Sequence, residues 1–291
     1  MFADKAKLTQ NGILYHGSFN ALGHCCELQI EISDKQLAQQ LFSCVSKEVI
    51  RIAEKYTYNS VDSSVDSSVD KSIDNIITRM NRGTAESIIV DAETATLLDF
   101  SDACYQLSEG RFDVCCRAIQ SSSPSLQTKS QRGWQQIRWD NPRLRLLQGM
   151  QLNFNAIIKA HACDRALSLA GEISKIPMLF SIGGVHLCNK ARVSTGDWWL
   201  EYLKSTPQSP AKSMQIQQGA IVTLYPISNK SADYSYFDGR TNQAITTSPV
   251  AITVAAATCT EANMLATLAM LQGENAEQYL STEQVTYWIE T

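Results

Sequence analysis

Residues 149–166 read G-M-Q-L-N-F-N-A-I-I-K-A-H-A-C-D-R-A, and this stretch says more about the fold than any other part of the chain. From Ile157 onward the apolar residues recur at helical spacing, which predicts a helix over residues 157–170. Lys159 lies among the apolar residues of this helix. It is therefore either a solvated charge or an ammonium group whose stem is buried against an apolar face.

The same stretch resembles the signature of the ApbE family of flavin transferases, which runs roughly G-x-x-L-D-L-G-G-I-A-K-G-Y-A-x-D-R-A. The match keeps Gly149, Leu152, Lys159, Ala162, Asp164, Arg165 and Ala166. Asn153 replaces the family aspartate, and Ala160-His161 replaces the Gly-Tyr that follows the family lysine.

Seven further segments are similar to the family pattern and occur in the same order along the chain. They cover residues 19–24, 72–81, 90–97, 110–113, 183–184, 238–241 and 262–267. Phe19-Asn20-Ala21-Leu22-Gly23-His24, for example, resembles the family's F-x-A-M-G-T. Each segment alone also fits ordinary turn or helix chemistry. Their shared order identifies the chain as a divergent member of the family.

The resemblance implies transfer of FMN from FAD to a threonine of an acceptor protein, with release of AMP. Breaking the pyrophosphate places charge on phosphate oxygens, and a bound Mg²⁺ is the usual way to neutralise that charge. The implied ligands and partners are therefore FAD, Mg²⁺ and a flavin-acceptor protein. FAD is expected in a groove between two lobes, close to Phe112, Asp113, Asn153 and Lys159.

The resemblance also implies roles for individual residues. The catalytic candidates are Lys159, Ser235 and Asp238. The candidates for holding FAD are Leu22, Tyr58, Arg111, Phe112, Asp113, Asn153, Lys159 and Tyr236. The metal is expected between the carbonyl of Ala156 and the side chains of Asn263 and Thr267. Structural roles stay open for several of these residues: a turn for Asp113, a bond to its own helix for Thr267, and core packing for Tyr58 and its neighbour Tyr56.

Three departures from the family pattern remove ionisable groups. Asn153 and Asn263 stand where the family has acids, and Ser235 falls at the position of its histidine. Asparagine keeps an acceptor oxygen but carries no charge, which weakens a site for a hard cation. Loss of a general base costs roughly 10²–10⁴ in rate unless another group, such as His161 or a tyrosine, replaces it. The alternative interpretations are an FAD-binding relative with weak or no transferase activity and, less favoured, a structural subunit.

Strand and helix patterns are mixed along the chain without regular βαβ spacing, which predicts an α+β fold. We expect a single compact two-lobed domain of mixed or antiparallel sheets and packed helices over residues 19–291, after an extension of residues 1–18. The V-D-S-S repeat lies within a predicted flexible insertion, residues 61–71. It offers too little apolar surface to offset ordering costs of roughly 1–2 kcal/mol per residue, so we expect residues 61–68 to be dispensable for folding.

Local patterns place the main elements. Alternation over residues 26–32 predicts a strand, and apolar residues at four-residue spacing after Ser33, a plausible N-cap, predict a helix to about Lys55. Further helices are expected over residues 91–108, ended by Gly110, and from an N-cap at Thr260 to Gly273. Short strands are expected over residues 178–182 and 251–257.

Composition bounds the remaining possibilities. The net charge of −4 over 291 residues gives no general attraction to nucleic acid or to an anionic membrane. No apolar run approaches the roughly 18 residues of a membrane span, and the first ten residues lack the apolar core of a secretory signal. Nine cysteines without a C-x-x-C spacing predict reduced, buried thiols rather than a zinc site. We therefore expect a cytoplasmic protein.

Overall fold

The computed structural model describes residues 6–57, 75–81, 87–115, 133–147, 150–202, 212–225, 236–245 and 249–290. They fall into two compact units. The first unit comprises Met1–Ala53, Ile157–Tyr225 and Pro249–Thr291, and the second comprises Glu54–Ala156 and Pro226–Ser248. The insertion predicted at residues 61–71, together with Tyr58 and Ser235, lies outside the described residues.

Within the described residues the strands are β1 (Lys7–Asn11), β2 (Leu14–Ala21), β3 (His24–Glu31), β4 (Ile88–Ile89), β5 (Arg138–Asp140), β6 (Arg143–Arg145), β7 (Met178–Ile182), β8 (Val185–Cys188), β9 (Trp198–Tyr202), β10 (Lys212–Ile216), β11 (Gly219–Leu224), β12 (Phe237–Asp238), β13 (Gln243–Ala244), β14 (Ala251–Ala256) and β15 (Thr286–Glu290). The α-helices are α1 (Lys35–Tyr56), α2 (Ile76–Asn81), α3 (Ala92–Leu107), α4 (Asn155–Ile173), α5 (Cys259–Leu271) and α6 (Ala276–Thr282). None of these helices is long and apolar enough to cross a membrane.

An eight-stranded antiparallel sheet organises the first unit, in the order β1-β2-β3-β7-β8-β11-β14-β15. The alternating pattern of β3 explains its place near the centre, because Cys26, Leu28 and Ile30 are all fully buried on one face. The strands predicted at residues 26–32, 178–182 and 251–257 are confirmed as β3, β7 and β14. β1 and β2 show that this sheet begins before residue 19. The domain boundaries expected from the sequence stay a prediction.

Helix α1 packs on this sheet through aromatic contacts. Phe42 lies so close to β2 that a Cβ on Gly17 would be 2.3 Å from its ring, and the ring of Phe19 sits edge-on to it at 6.0 Å. The start of the helix differs from the prediction. Asp34, rather than Ser33, caps it, because its carboxylate accepts hydrogen bonds from the backbone N–H groups of Gln36 (2.8 Å) and Leu37 (3.1 Å).

Helix α5 is fixed by a cap from a distant part of the sequence. The carboxylate of Asp164, on α4, accepts hydrogen bonds from the backbone N–H groups of Cys259 and Thr260, both at 2.8 Å. The N-cap predicted at Thr260 is wrong. Thr258 is the N-cap and accepts from the N–H of Glu261, whereas the hydroxyl of Thr260 donates to Asp164 at 2.6 Å.

The second unit combines α2 and α3 with a three-stranded sheet, β4-β6-β5, and the hairpin of β12 and β13. Asp91 caps α3 at its start, and Gly110, at a φ of 82°, ends it by donating its N–H to the carbonyl of Tyr105, as predicted. Tyr56 is a core residue: its hydroxyl lies 3.0 Å from that of Thr94, which leaves no exposed ring face for a flavin. The helices and antiparallel sheets of both units confirm the predicted α+β class.

Candidate functional site

The sequence-predicted site residues are distributed over both units. Leu22, Lys159, Asn263 and Thr267 belong to the first unit. Arg111, Phe112, Asp113, Asn153, Ala156, Tyr236 and Asp238 belong to the second. Tyr58 and Ser235 lie outside the described residues.

The turn after α3 orders the first group of residues in the second unit. The hydroxyl of Ser108, at the helix end, accepts a hydrogen bond from the N–H of Phe112 at 2.9 Å. This bond folds the chain back and buries the Phe112 ring, which is 6% exposed. Arg111 stays half-buried on the same turn.

Asp113 ties this turn to a second segment. Its two carboxylate oxygens accept hydrogen bonds from the backbone N–H groups of Cys115 (2.7 Å) and Trp134 (2.9 Å). Gly133 permits the approach, because a Cβ there would lie 2.5 Å from the carboxylate. Burial raises the pKa of Asp113 above its ordinary value, although these backbone N–H groups act in the opposite direction. The turn role of Asp113 is thus visible, and flavin contact stays a prediction.

Gly239 joins the hairpin of β12 and β13 to the same turn. Its N–H donates to the carbonyl of Arg111 at 2.8 Å. A side chain at this position would collide with the turn, since a Cβ would lie 2.6 Å from the carbonyl oxygen of Gly110 and 2.7 Å from Cβ of Asp113. Only glycine therefore allows residues 110–113 and Asp238 to meet.

Asp238 and Arg240 form an ion pair beside this contact. The carboxylate accepts hydrogen bonds from Nε (3.0 Å) and Nη2 (2.6 Å) of Arg240. This pairing, with the nearby charge of Arg111, holds the pKa of Asp238 below its ordinary value. Asp238 is therefore an ionised acceptor near neutral pH and a poor proton donor. Tyr236, at the start of the hairpin, has its phenol pKa raised by burial.

Asn153 is held by the same part of the second unit. Its N–H donates to the carbonyl of Val114 at 2.8 Å, next to Asp113. Its side-chain oxygen accepts the N–H of Asn155 at 2.8 Å, which opens α4. Asn81 holds Leu152, the residue before Asn153, by two hydrogen bonds. Its side-chain oxygen accepts the N–H of Leu152 at 2.7 Å, and its amide nitrogen donates to the carbonyl of Leu152 at 2.9 Å. The side-chain oxygen of Asn153 therefore stabilises the start of α4. Its amide N–H₂ group donates no hydrogen bond to any residue that the structure describes.

Two tight turns lie together at one end of the large sheet in the first unit. Leu22 and Gly23 connect β2 to β3, both at positive φ (52° and 76°). Gly183 and Gly184 connect β7 to β8. Leu22 is an unusual residue in this conformation, because a side chain in the left-handed region is strained.

His24 follows the first turn and lies against the second. A Cβ on Gly183 would be 3.1 Å from Nδ1 of His24, so the imidazole rests directly on this glycine. Burial lowers the pKa of His24, and the positive charge of Lys159 lowers it further. His24 is therefore a neutral base at pH 7, close to the ammonium group of Lys159.

Lys159 is half-buried on α4. Burial lowers its pKa because the charged form is poorly solvated there. No residue in the described ranges accepts a hydrogen bond from its ammonium group. A half-buried cation in this state is best stabilised by an anionic ligand.

The metal candidates of the first unit lie one turn apart on α5. Asn263 and Thr267 are 3% and 5% exposed, at positions i and i+4 of the same helix face. Both offer the oxygen donors that Mg²⁺ prefers, and neither carries a charge. Among the described residues no group of three or more His, Cys, Asp or Glu side chains is placed to hold a metal.

Several residues that shape these sites were not expected from the sequence. His24 and Gly239 stand inside segments that resemble the family pattern, but only tertiary contact with Gly183 and with residues 110–113 reveals what they do. Asp164 was expected only as a matched residue of the motif. Its three bonds to the start of α5 give the physical reason for an acid at that position.

Comparisons with known proteins bear on the family and the fold of this chain. The model of the ApbE family matches residues 26–289. No curated protein sequence matches the chain significantly. The solved structures that resemble it include the ApbE protein of Thermotoga maritima, at 16% identity and a TM-score of 0.78 over 95% of this chain and 94% of that one. The flavin transferase ApbE of Vibrio cholerae matches at 17% identity and a TM-score of 0.73, over 98% and 94% of the two chains. The apo form of the flavinyl transferase ApbE of Pseudomonas stutzeri matches at 15% and 0.76, over 99% and 92%. At identities of 15–17%, these matches show that the fold is similar and nothing more.

Proposed function

Because the chain belongs to the ApbE family, we propose that it is an FAD:protein FMN transferase. The donor is FAD, the acceptor is a threonine hydroxyl of a partner protein, and AMP leaves. The reaction is a phosphoryl transfer, so catalysis consists mainly of positioning and charge stabilisation.

One observation carries this proposal. Segments far apart in the sequence, residues 110–113, Asn153 and residues 238–240, converge in the second unit through the N–H groups of Gly239 and Asn153. All three segments are similar to the family pattern. The close approach at Gly239, which excludes any side chain there, brings the hairpin of β12 and β13 against residues 110–113. We assign the flavin part of FAD to this cluster.

The first unit supplies the charge chemistry in this proposal. Lys159 would stabilise negative charge on the phosphate oxygens as it develops, since a half-buried ammonium acts in a region of low dielectric. Leu22, held in a strained turn beside His24, would offer an apolar contact to the nucleotide. Asp238, kept ionised by Arg240, is suited to accept a hydrogen bond from the substrate.

Mg²⁺ fits the donor set of α5 in part. The oxygens of Asn263 and Thr267 are the right kind of ligand, but a hard divalent ion usually also requires one or two carboxylates or substrate phosphates. We propose that these two residues hold Mg²⁺ only when FAD phosphates complete its coordination. The ion would then neutralise charge on those phosphates.

The alternative is an FAD-binding protein with weak or no transferase activity. It is favoured by the neutral amides at positions 153 and 263, since both replace acids of the family pattern. A direct assay separates it from the enzyme.

The assay combines the protein with FAD, Mg²⁺ and an acceptor protein known to carry threonine-linked FMN. We expect covalent flavin fluorescence on the denatured acceptor, a mass increase of one FMN less one water, and an equal amount of AMP. FMN in place of FAD is the control and should give no adduct, because it lacks the AMP leaving group. FAD binding without adduct or AMP would support the alternative, and no FAD binding at roughly 100 μM would contradict both.

A further inference from the structure

Two polar side chains of the first unit, His24 and Lys159, lie close enough for the positive charge of Lys159 to act on the imidazole. The imidazole of His24 and the ammonium of Lys159 are both half-buried, and neither makes a side-chain hydrogen bond to any residue that the structure describes. Their nitrogen atoms are not sealed inside the protein, because among the described residues only Tyr15 Oη is a buried polar side-chain atom without a partner. Both groups are therefore available to a ligand.

The position of the imidazole is set by the backbone around it. His24 is the first residue of β3, and Gly183 follows the last residue of β7, the strand that pairs with β3. The imidazole rests on Gly183, which has a φ of 59° and no side chain. The second glycine of the turn is fixed by a bond from the N–H of Thr223 to the carbonyl of Gly184 at 2.8 Å. A larger residue at Gly183 would displace the ring.

The chemistry of the pair matches a phosphate ester under attack by a hydroxyl group. The ammonium of Lys159 attracts the phosphate, and a neutral imidazole beside it can remove a proton from the hydroxyl. The chain also needs such a base, because Ser235 stands where the family pattern has a histidine. His161, the other nearby candidate from the sequence, already has an interaction within the protein.

We propose that His24 is the general base of the transfer, an inference that rests on the proposed function. The threonine oxygen of the acceptor attacks the phosphorus of the FMN half of FAD, and its proton passes to the free ring nitrogen of His24. A new bond forms between that oxygen and phosphorus, and the bond from phosphorus to the bridging oxygen breaks. AMP leaves with the bridging oxygen, and the imidazolium of His24 returns the proton to water.

The test compares His24→Ala and His24→Gln with wild-type protein in the FMN-transfer assay. We expect kcat to fall by roughly 10²–10⁴, the usual contribution of a general base. The KM for FAD and the affinity for FAD in a direct fluorescence titration should stay near the wild-type values. Added imidazole should restore part of the kcat of His24→Ala, whose cavity admits it, and should not affect wild type. The matched control is His16→Ala, an exposed histidine of the same hairpin, which should transfer FMN at the wild-type rate.

The outcomes separate this inference from the proposed function. Wild-type transfer with unchanged kcat in both His24 variants would overturn the role of His24 and leave the proposed function intact. A loss of FAD affinity equal to the loss of kcat, without imidazole rescue, would show that His24 only binds or shapes the site. Absence of transfer by wild-type protein with a competent acceptor would overturn both.

Discussion

Asparagine replaces an acid of the family pattern at two positions, and the two amides have different surroundings. Asn153 is half-buried, and its oxygen accepts the backbone N–H that opens α4. An aspartate there would accept the same bond. Asn263 is 3% exposed on α5, where an added charge would be costly without a cation. The consequence of restoring an acid should therefore be much larger at position 263.

For Asn263→Asp we expect Mg²⁺ to bind more tightly, on the order of tenfold, because one negative charge is added to a set of neutral donors. The variant without metal should melt below wild type, since it buries an added negative charge, and Mg²⁺ with FAD should raise its melting temperature more than that of wild type. Thermal unfolding with and without Mg²⁺ measures both effects.

The control for that variant is Asn275→Asp, the same charge change at an exposed position just beyond α5. It should leave the response to Mg²⁺ unchanged. An equal response to Mg²⁺ in wild type and in Asn263→Asp would show that residue 263 is not a metal ligand.

At the scale of elements, helices and strands follow from local patterns, whereas their caps do not. The four-residue spacing of α1 and the alternation of β3 were sufficient to place both, because each buries one continuous face. The caps predicted at Ser33 and Thr260 are wrong, because Asp34 and Thr258 lie one and two residues away and are equally able to cap a helix. The path of the incoming chain selects Asp34 and Thr258, and Asp164 arrives from α4.

For the candidate site, too, the sequence predicts individual residues but not the contacts between distant ones. Family-like segments named Lys159, Asp113 and Asp238 from the sequence alone. The contact of His24 with Gly183 joins residues 159 positions apart in the chain, and the contact of Gly239 with Arg111 is similarly distant. No local spacing encodes such pairs, so the sequence left both residues without a role.

The cap supplied by Asp164 should matter for stability and for placement of the α5 residues. We expect Asp164→Ala to destabilise the protein by about 2 kcal/mol, because two N–H groups at the start of α5 lose their acceptor and a charge favourable to the helix dipole is removed. The melting temperature should fall by about 4–8 °C, measured by thermal unfolding. Glu172→Ala, an exposed acid on the same α4, is the control and should shift it by no more than about 1–2 °C. Equal melting temperatures for wild type and Asp164→Ala would contradict the capping role.

For the whole molecule, a buried histidine and two paired carboxylates make stability fall at acid pH, and one buried carboxyl group opposes them. Burial lowers the pKa of His186 to about 4, and its Nδ1 lies 2.8 Å from the hydroxyl of Ser181. The unfolded chain therefore binds a proton at this histidine more readily than the folded one. Burial alone would raise the pKa values of Glu31 and Asp91. Hydrogen bonds from Ser194 and Val193 to Glu31, and from Lys55 to Asp91, outweigh burial and lower both pKa values. Asp113, with its raised pKa, acts in the opposite sense.

We expect acid to destabilise the protein in two stages. The contribution of His186 is complete above pH 6.5, its unfolded value, and is lost as the pH falls from 6.5 to about 4. A shift of this size corresponds to about 3 kcal/mol.

The stabilisation from the paired carboxylates is lost only below pH 4.5. There the carboxyl groups of the unfolded chain begin to bind protons while those of the folded protein are still ionised. Melting temperatures from pH 4.5 to 8 should therefore fall on the acid side before the paired carboxylates Glu31 and Asp91 contribute. His186→Gln should flatten the curve between pH 4.5 and 6.5, and His16→Gln, an exposed control, should leave it unchanged. Parallel curves for wild type and His186→Gln would show that the buried histidine does not govern acid stability.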